Sequence, residues 1–334
     1  MKKLSIVFLV LTLLVSMMLP AMAEAGDVKI GWYAPGSNQY TDAVGKAVEK
    51  FAADYGADVR IIFGDGEQAT MDAQIRAMVA DGYTNISSFP ATEGAAGLYD
   101  ELAFQGVKCV TYGASTAPQT ELLCAASNVK QAAYTATEAV IEAMGGRGKI
   151  LNVLEVLTDS NTAKRREGVI ECVEAHDGVE IAMEIADINS IEEGVTKISS
   201  AMGAVGSEIS GIVCTGTQTS SAVVQVMSDY YARNPEADPI FVVCCDCADD
   251  VMKGIEDGII YGTMAQNVDA HGYLSCALLY YMATENMVPA EGQFLVDTGV
   301  VLVTKDNLDT YNDDLTALTE KLASELTTTY LTAE

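Results

Sequence analysis

From about residue 28 to residue 303 the chain alternates short apolar, β-branched runs with longer stretches of helical spacing. Consecutive βα units bury their strands on both faces. They therefore build parallel sheets with right-handed crossovers and helices on either side. Val28 to Tyr33 reads as the first strand, and Val44, Val48 and Phe51 mark the helix after it, stopped at Gly56. Further strands are expected at Val59–Phe63, Ile86–Phe89, Val107–Tyr112 and Leu122–Ala126, with helices between most of them. Beyond a helix near Val129–Met144, strands at Lys149–Leu157, 179–186, 209–214, 240–245 and 259–265 alternate with helices again. Val296–Val303 reads as one closing strand. The units form two similar sets, split near residue 128, so the expectation is α/β with two doubly wound parallel-sheet lobes.

The start of the chain speaks for export. Lys2 and Lys3 precede an apolar run to Leu19, and Pro20 precedes Ala21-Met22-Ala23. This is the n-region, h-region and Ala-x-Ala site of a secretory signal peptide, cleaved after Ala23 or Ala25. The run is shorter than the roughly 20 residues of a membrane-spanning helix. The 334 residues include 47 acidic and 19 basic ones, a formal charge of −28. Phosphate neutralisation needs a basic face, and no basic cluster beyond Lys164-Arg165-Arg166 exists, so nucleic acid is not an expected partner. The eight cysteines do not form a dense framework. Cys109, Cys214, Cys244 and Cys245 fall in apolar strand runs, where Cys serves as a small core residue. Cys109 and Cys124, on successive strands, remain open as a pair.

Ligands of open α/β folds bind beyond the carboxyl ends of the strands. In residues 239–266, PIFVVCCDCADDVMKGIEDGIIYGTMAQ, one strand ends at Asp246 and the next at Gln266. This segment resembles the strand, Gly-Phe-Asp, helix, Asp-Gly, strand, Gln block of the periplasmic sugar-binding proteins related to ribose-binding protein. Asn38-Gln39-Tyr40 stands where that family has Asn-Pro-Phe, and Arg165 stands three residues before Gly168 as the family's Arg does. The resemblance implies a type I periplasmic binding fold with ligand contacts from Asn38, Tyr40, Arg165, Asp246 and Gln266. An amide and a carboxylate suit hydroxyl groups, an aromatic ring suits a sugar face, and a guanidinium fork holds two adjacent oxygens. Thr92, Glu93, Gly113 and Thr217 are weaker candidates. Several positions depart from the family pattern. Gly113-Ala114 replaces an Asp-Arg pair, Gly216-Thr217 replaces Asn-Asp, and Ile188 stands where an aromatic covers the sugar.

The resemblance also implies three crossings between lobes, near Ser127-Asn128, Gln266-Asn267 and Gly292. Lobe one would hold 26–127 and 267–291. Lobe two would hold 128–266 and 292–304, with 305–334 a C-terminal helical tail on the outside of a lobe. The implied function is capture of a small polar solute, sugar or sugar-like, in the periplasm for an ABC importer whose permease lies in the inner membrane. The protein is expected to be a monomer without cofactor, metal or catalytic activity. No G-x-S-x-G, H-E-x-x-H or complete P-loop occurs. Two alternatives stay open. Cys244-Cys245-Asp246-Cys247 holds a C-x-x-C at a strand-to-helix turn, which a secreted thiol–disulfide oxidoreductase would use through Cys244 and Cys247. A sensor would present the same closed lobes to a membrane receptor.

Overall fold

The computed structural model describes residues 28–334 apart from Ala91 and Glu93. The signal-peptide reading and the candidate Glu93 lie outside the described residues. In chain order the elements begin β1 (Lys29–Ala34), α1 (Gln39–Tyr55), β2 (Asp58–Phe63), α2 (Gln68–Ala80), β3 (Asn85–Ser88), α3 (Ala95–Phe104), β4 (Lys108–Tyr112) and β5 (Leu123–Ala126). Next come α4 (Val129–Ala143), β6 (Gly148–Val153), α5 (Ser160–Glu174), β7 (Val179–Ile185), α6 (Ile191–Val205), β8 (Gly211–Cys214), α7 (Thr217–Arg233), β9 (Phe241–Cys245) and α8 (Asp249–Glu256). The rest are β10 (Gly262–Gln266), α9 (Val268–Thr284), β11 (Met287–Pro289), β12 (Leu295–Asp297), β13 (Val300–Thr304), α10 (Tyr311–Glu325) and β14 (Leu331–Ala333).

Two six-stranded sheets result, in the orders β12-β5-β4-β3-β1-β2 and β13-β10-β9-β8-β6-β7. Both are parallel except for the antiparallel pairing of β10 with β13. Alternate side chains of each strand face opposite sides, and helices cover both. Ile30 and Trp32 of β1 pack with Val44, Val48 and Phe51 of α1 and with Leu274 and Leu278 of α9. Tyr33 faces the other way, onto Met71, Ile75 and Met78 of α2 and Leu98 and Leu102 of α3. The second sheet repeats the scheme. Leu151, Ile212 and Val242 meet α6, α7 and α8, while Ile150, Val213 and Val243 meet α4 and α5. This double cover explains why the strands read as continuous apolar runs. The two-lobe α/β expectation holds.

Cys109, Cys214 and Cys244 sit in these cores, and all eight cysteines are free thiols. Cys124 lies opposite Thr111 rather than Cys109 in the β4–β5 register.

Two expectations need correction. Val296–Val303 is two strands: β12 extends the first sheet beside β5, and β13 extends the second beside β10. Gly299, at φ 76°, turns the chain between them, a conformation that glycine adopts without the steric cost of a Cβ. The third crossing is therefore at Thr298-Gly299 and not near Gly292, and residues 292–297 stay with the first sheet. The tail also does more than cover one lobe. Leu308, Tyr311 and Leu315 pack on the second core, while Leu318, Leu322, Leu326 and Leu331 join the first. Its last strand, β14, pairs antiparallel with β11. Among the described residues no helix is long and apolar enough to cross a membrane.

Helix α9 follows the second crossing and seats against α1 through Gly272. A Cβ there would lie 2.4 Å from the Val44 carbonyl oxygen and 3.1 Å from the Val48 side chain. Gly272→Ala should cost about 1–3 kcal/mol, the usual penalty for overpacking. In urea this appears as a lower midpoint at unchanged slope; an unchanged midpoint would mean that the two helices do not need this close approach.

Candidate functional site

The site is built on the carboxyl ends of strands from both sheets. In each sheet the strand order reverses, between β1 and β3 in the first and between β6 and β8 in the second. Chains leave such a point in opposite directions and open a crevice. Asn38 and Tyr40 follow β1, Gly113 follows β4, Thr217 follows β8, Asp246 follows β9, and Gln266 ends β10.

Asp246 is the most constrained of these residues. Its backbone takes φ 67°, a left-handed conformation that Asp tolerates better than most side chains but still at a cost. Its amide donates to the Met264 carbonyl at 3.0 Å, and its own carbonyl accepts from Thr263 Oγ1 at 2.7 Å. The carboxylate is aimed by two donors, Gln266 Nε2 at 2.7 Å on Oδ1 and Thr217 Oγ1 at 2.5 Å on Oδ2. A carboxylate has about four acceptor positions, so the aimed group keeps capacity for more. Asp246 is not a helix cap, because Ala248 is the N-cap residue of α8. Gln266 and Thr217 thus act on Asp246 directly.

Arg165 sits on α5, half-buried, and makes no hydrogen bond or ion pair within the described residues. Burial alone would depress its pKa. The neighbouring Cys245, Asp246, Asp159 and Glu155 more than offset this and hold the guanidinium above its ordinary value. Arg166 turns the other way and donates from Nε to Glu184 Oε1 at 2.7 Å. One helix therefore presents a free fork on one face and a neutralised one on the other.

Asn38, in contrast, is engaged locally. It caps α1, accepting from the Thr41 amide at 3.0 Å while its own amide donates to Thr41 Oγ1 at 3.0 Å. Thr92 donates to Gln68 Oε1. Ile188 is buried in the second core and covers nothing in the crevice. Tyr40 is half-buried, edge-on to Phe89 at 6.3 Å between ring centres. Gly113, at φ 72°, makes room for it: a Cβ there would lie 2.2 Å from the Tyr40 hydroxyl oxygen. The lobes touch here, since Asn161 Nδ2 of α5 donates to the Gly113 carbonyl at 3.3 Å.

Three further residues belong to this region without having been expected. Glu155, just beyond β6, accepts from the Gln218 amide at 2.8 Å. It supplies the cap that α7 lacks, since the N-cap residue there is Gly216. Burial raises its pKa, opposed by that hydrogen bond and by Arg165. Phe89 is the ring beside Tyr40. His271, on α9, is 1% exposed and joins Tyr40 to the first crossing: Tyr40 Oη lies 2.8 Å from Nδ1, and the Ser127 amide donates to Nε2 at 3.2 Å.

The C-x-x-C cysteines have a different character. Cys244 is buried in the second core, and burial pushes the Cys247 thiol up to about 12. Reactive cysteines have depressed values and exposed sulfurs.

A family model described as the periplasmic binding protein domain matches residues 32–286. The chain belongs to that family. Comparison with curated protein sequences finds no match. Among solved structures, a periplasmic ribose ABC transporter protein from Conexibacter woesei superposes with a TM-score of 0.79 at 15% identity, covering 88% of this chain and 97% of that one. An ABC transporter solute-binding protein from Burkholderia graminis, in complex with D-arabinose, gives 0.74 at 22% identity, covering 87% and 99%. One from Bacillus halodurans with bound myo-inositol gives 0.72 at 18%, covering 87% and 99%. At these identities the likeness speaks for the fold, which is the two-lobe type I arrangement of periplasmic binding proteins.

In this periplasmic binding protein the buried imidazole also sets a pH limit. Burial lowers the His271 pKa from its ordinary 6.5 to about 4, against a smaller opposing pull from Asp246. Below pH 6.5 the unfolded chain therefore binds a proton that the folded one refuses. The neutral ring's contribution is complete above about 6.5 and is lost as pH falls to about 4. Its full size is about 3 kcal/mol, at roughly 1.4 kcal/mol per pH unit. Urea titrations should show His271→Gln losing less stability than wild type over that window. Parallel curves would mean that His271 is not the titrating group.

Proposed function

We propose that this protein captures a small polyhydroxylated solute, a sugar or sugar-like compound, and delivers it to an ABC importer. The observation that carries the reading is the pair at the crevice: the Asp246 carboxylate aimed by Gln266 and Thr217, and beside it the unpaired Arg165 guanidinium. An acceptor with spare lone pairs and a planar donor fork suit neighbouring hydroxyls of one ligand. Tyr40 and Phe89 offer apolar ring surface from the opposite lobe. Family membership and neighbours bound to D-arabinose and myo-inositol support the same class. The signal-like first 25 residues support export to the periplasm, where a monomer would meet an inner-membrane permease. A thiol–disulfide role for Cys244 and Cys247 has no such support, given the buried sulfur of one and the raised pKa of the other.

A thermal-shift screen of sugars, polyols, nucleosides and amino acids finds the solute, and calorimetry then tests the site. Hydrogen bonds to charged groups contribute roughly 1.5–3 kcal/mol. Asp246→Asn tolerates the left-handed backbone but removes the charge, and should weaken binding about 10- to 100-fold. Arg165→Ala should do the same, and Arg165→Lys should rescue little, since an ammonium lacks the fork. Arg166→Ala, which breaks only the Glu184 pair, should stay within about threefold. Loss of binding in Arg166→Ala with Arg165→Ala silent would invert the assignment. Full affinity in Asp246→Asn would remove Asp246 from the site.

Insulin reduction gives an independent check on the thiols. The wild type should show no turnover above background. Turnover that vanishes in Cys247→Ser would replace the binding reading with a redox one.

A further inference from the structure

His271 determines what Tyr40 can do. A backbone amide has only a hydrogen to give, so the Ser127 amide at 3.2 Å requires Nε2 to be the bare nitrogen. Burial keeps the ring neutral near pH 7. Its single proton therefore sits on Nδ1, 2.8 Å from the Tyr40 hydroxyl oxygen. Nδ1–H donates to that oxygen, and the phenol cannot return its own hydrogen to the same nitrogen. The phenol keeps that hydrogen, because burial, with Cys124 and Asp246 nearby, raises its pKa. No other described residue accepts it: His271 is the one hydrogen-bond partner of Tyr40 among the described residues. The hydroxyl lies over Gly113, at the place where Asn161 of the other lobe reaches the Gly113 carbonyl.

We infer that His271 is a positioning residue that fixes the Tyr40 hydroxyl as a hydrogen-bond donor to the bound solute. This deepens the solute-binding reading and rests on it. The corner of the crevice under Tyr40 then favours an acceptor atom, such as a hydroxyl, ring-ether or carbonyl oxygen. Lobe two meets the same solute with the acceptor carboxylate of Asp246 and the donor fork of Arg165, so Tyr40 adds a donor from lobe one opposite that pair. The relay also reaches the hinge. Ser127 Oγ donates to the Gly299 carbonyl at 3.0 Å, so the His271 ring is bonded directly to the first crossing and reaches the third through Ser127.

The test has two arms. In ¹⁵N-histidine NMR of the ligand-free wild type near pH 7, Nδ1 of His271 should resonate as a protonated, pyrrole-type nitrogen and Nε2 as a bare, pyridine-type one. The reverse tautomer, or a doubly protonated ring, overturns the inference whatever the protein binds. The second arm uses D-ribose, D-arabinose, D-galactose and myo-inositol as calorimetric probes in a double-mutant cycle. For a probe that binds, Tyr40→Phe should weaken affinity about 2- to 10-fold, the range of one neutral hydrogen bond. His271→Gln should weaken it in the wild-type background and add nothing in the Tyr40→Phe background. Additive losses would overturn the positioning role. If none of the four probes binds, the sugar-like solute class fails, and the NMR result still decides the tautomer by itself.

Discussion

The hydrogen-bonded knot where three chain crossings meet is the constraint on which the rest of the molecule depends. Asp297 Oδ1 accepts from the Asn128 amide of the first crossing and from the Gly299 amide of the third, each at 3.0 Å. Asn267 of the second crossing donates to the Thr298 carbonyl at 3.2 Å and accepts from Thr319 of α10 at 3.1 Å. Ser127, Asn267, His271 and Thr298 are all buried. Buried polar groups have to be paired, and an unpaired one costs about 1–3 kcal/mol. The crossings therefore cannot separate one at a time. Rotation of one sheet against the other about the shared knot would leave these bonds in place, and that is the hinge motion expected of two-lobed folds.

The crevice inherits its chemistry from that arrangement. Parallel strands deliver their carboxyl ends to one rim, so polar residues from both lobes converge without any loop having to span the gap. The strained backbone at Asp246 is tolerated because neighbours over-determine it: the β10 carbonyl of Met264, the Thr263 hydroxyl, Gln266 and Thr217 all hold it. Positive-φ positions of this kind recur where a side chain must be presented at a fixed angle. Acidic groups outnumber Arg165 around the site, yet Glu155 is largely occupied in capping α7. Among the described residues, Asp246 is the carboxylate proposed to face the solute.

Much of this was legible in the residues, for physical reasons that differ from place to place. The apolar runs specified parallel sheets because strands covered on both faces cannot alternate. Asp246 and Gln266 stood out because a polar side chain ending such a run has only the rim to occupy. Asn38 shows two uses of one side chain: the amide suited to a ligand is also a preferred N-cap, and the helix takes its oxygen. The run from Val296 to Val303 concealed a change of sheet, because its interruption is a single glycine torsion. Glu155 was hidden inside an expected strand, Lys149–Leu157, that ends at Val153. His271 carried no local signal at all, since its role depends on Tyr40, 231 positions away, and Ser127, 144 positions away.

On this reading the two lobes close on a polar solute by rotation about the hinge knot. Small-angle scattering of the mature protein, with and without saturating solute from the thermal-shift screen, tests it most directly. The free protein should have the larger radius of gyration, and binding should decrease it toward that of this structure, in which Asn161 already bridges to Gly113. A radius that stays constant while calorimetry records saturation would contradict closure and, with it, the role assigned to the hinge.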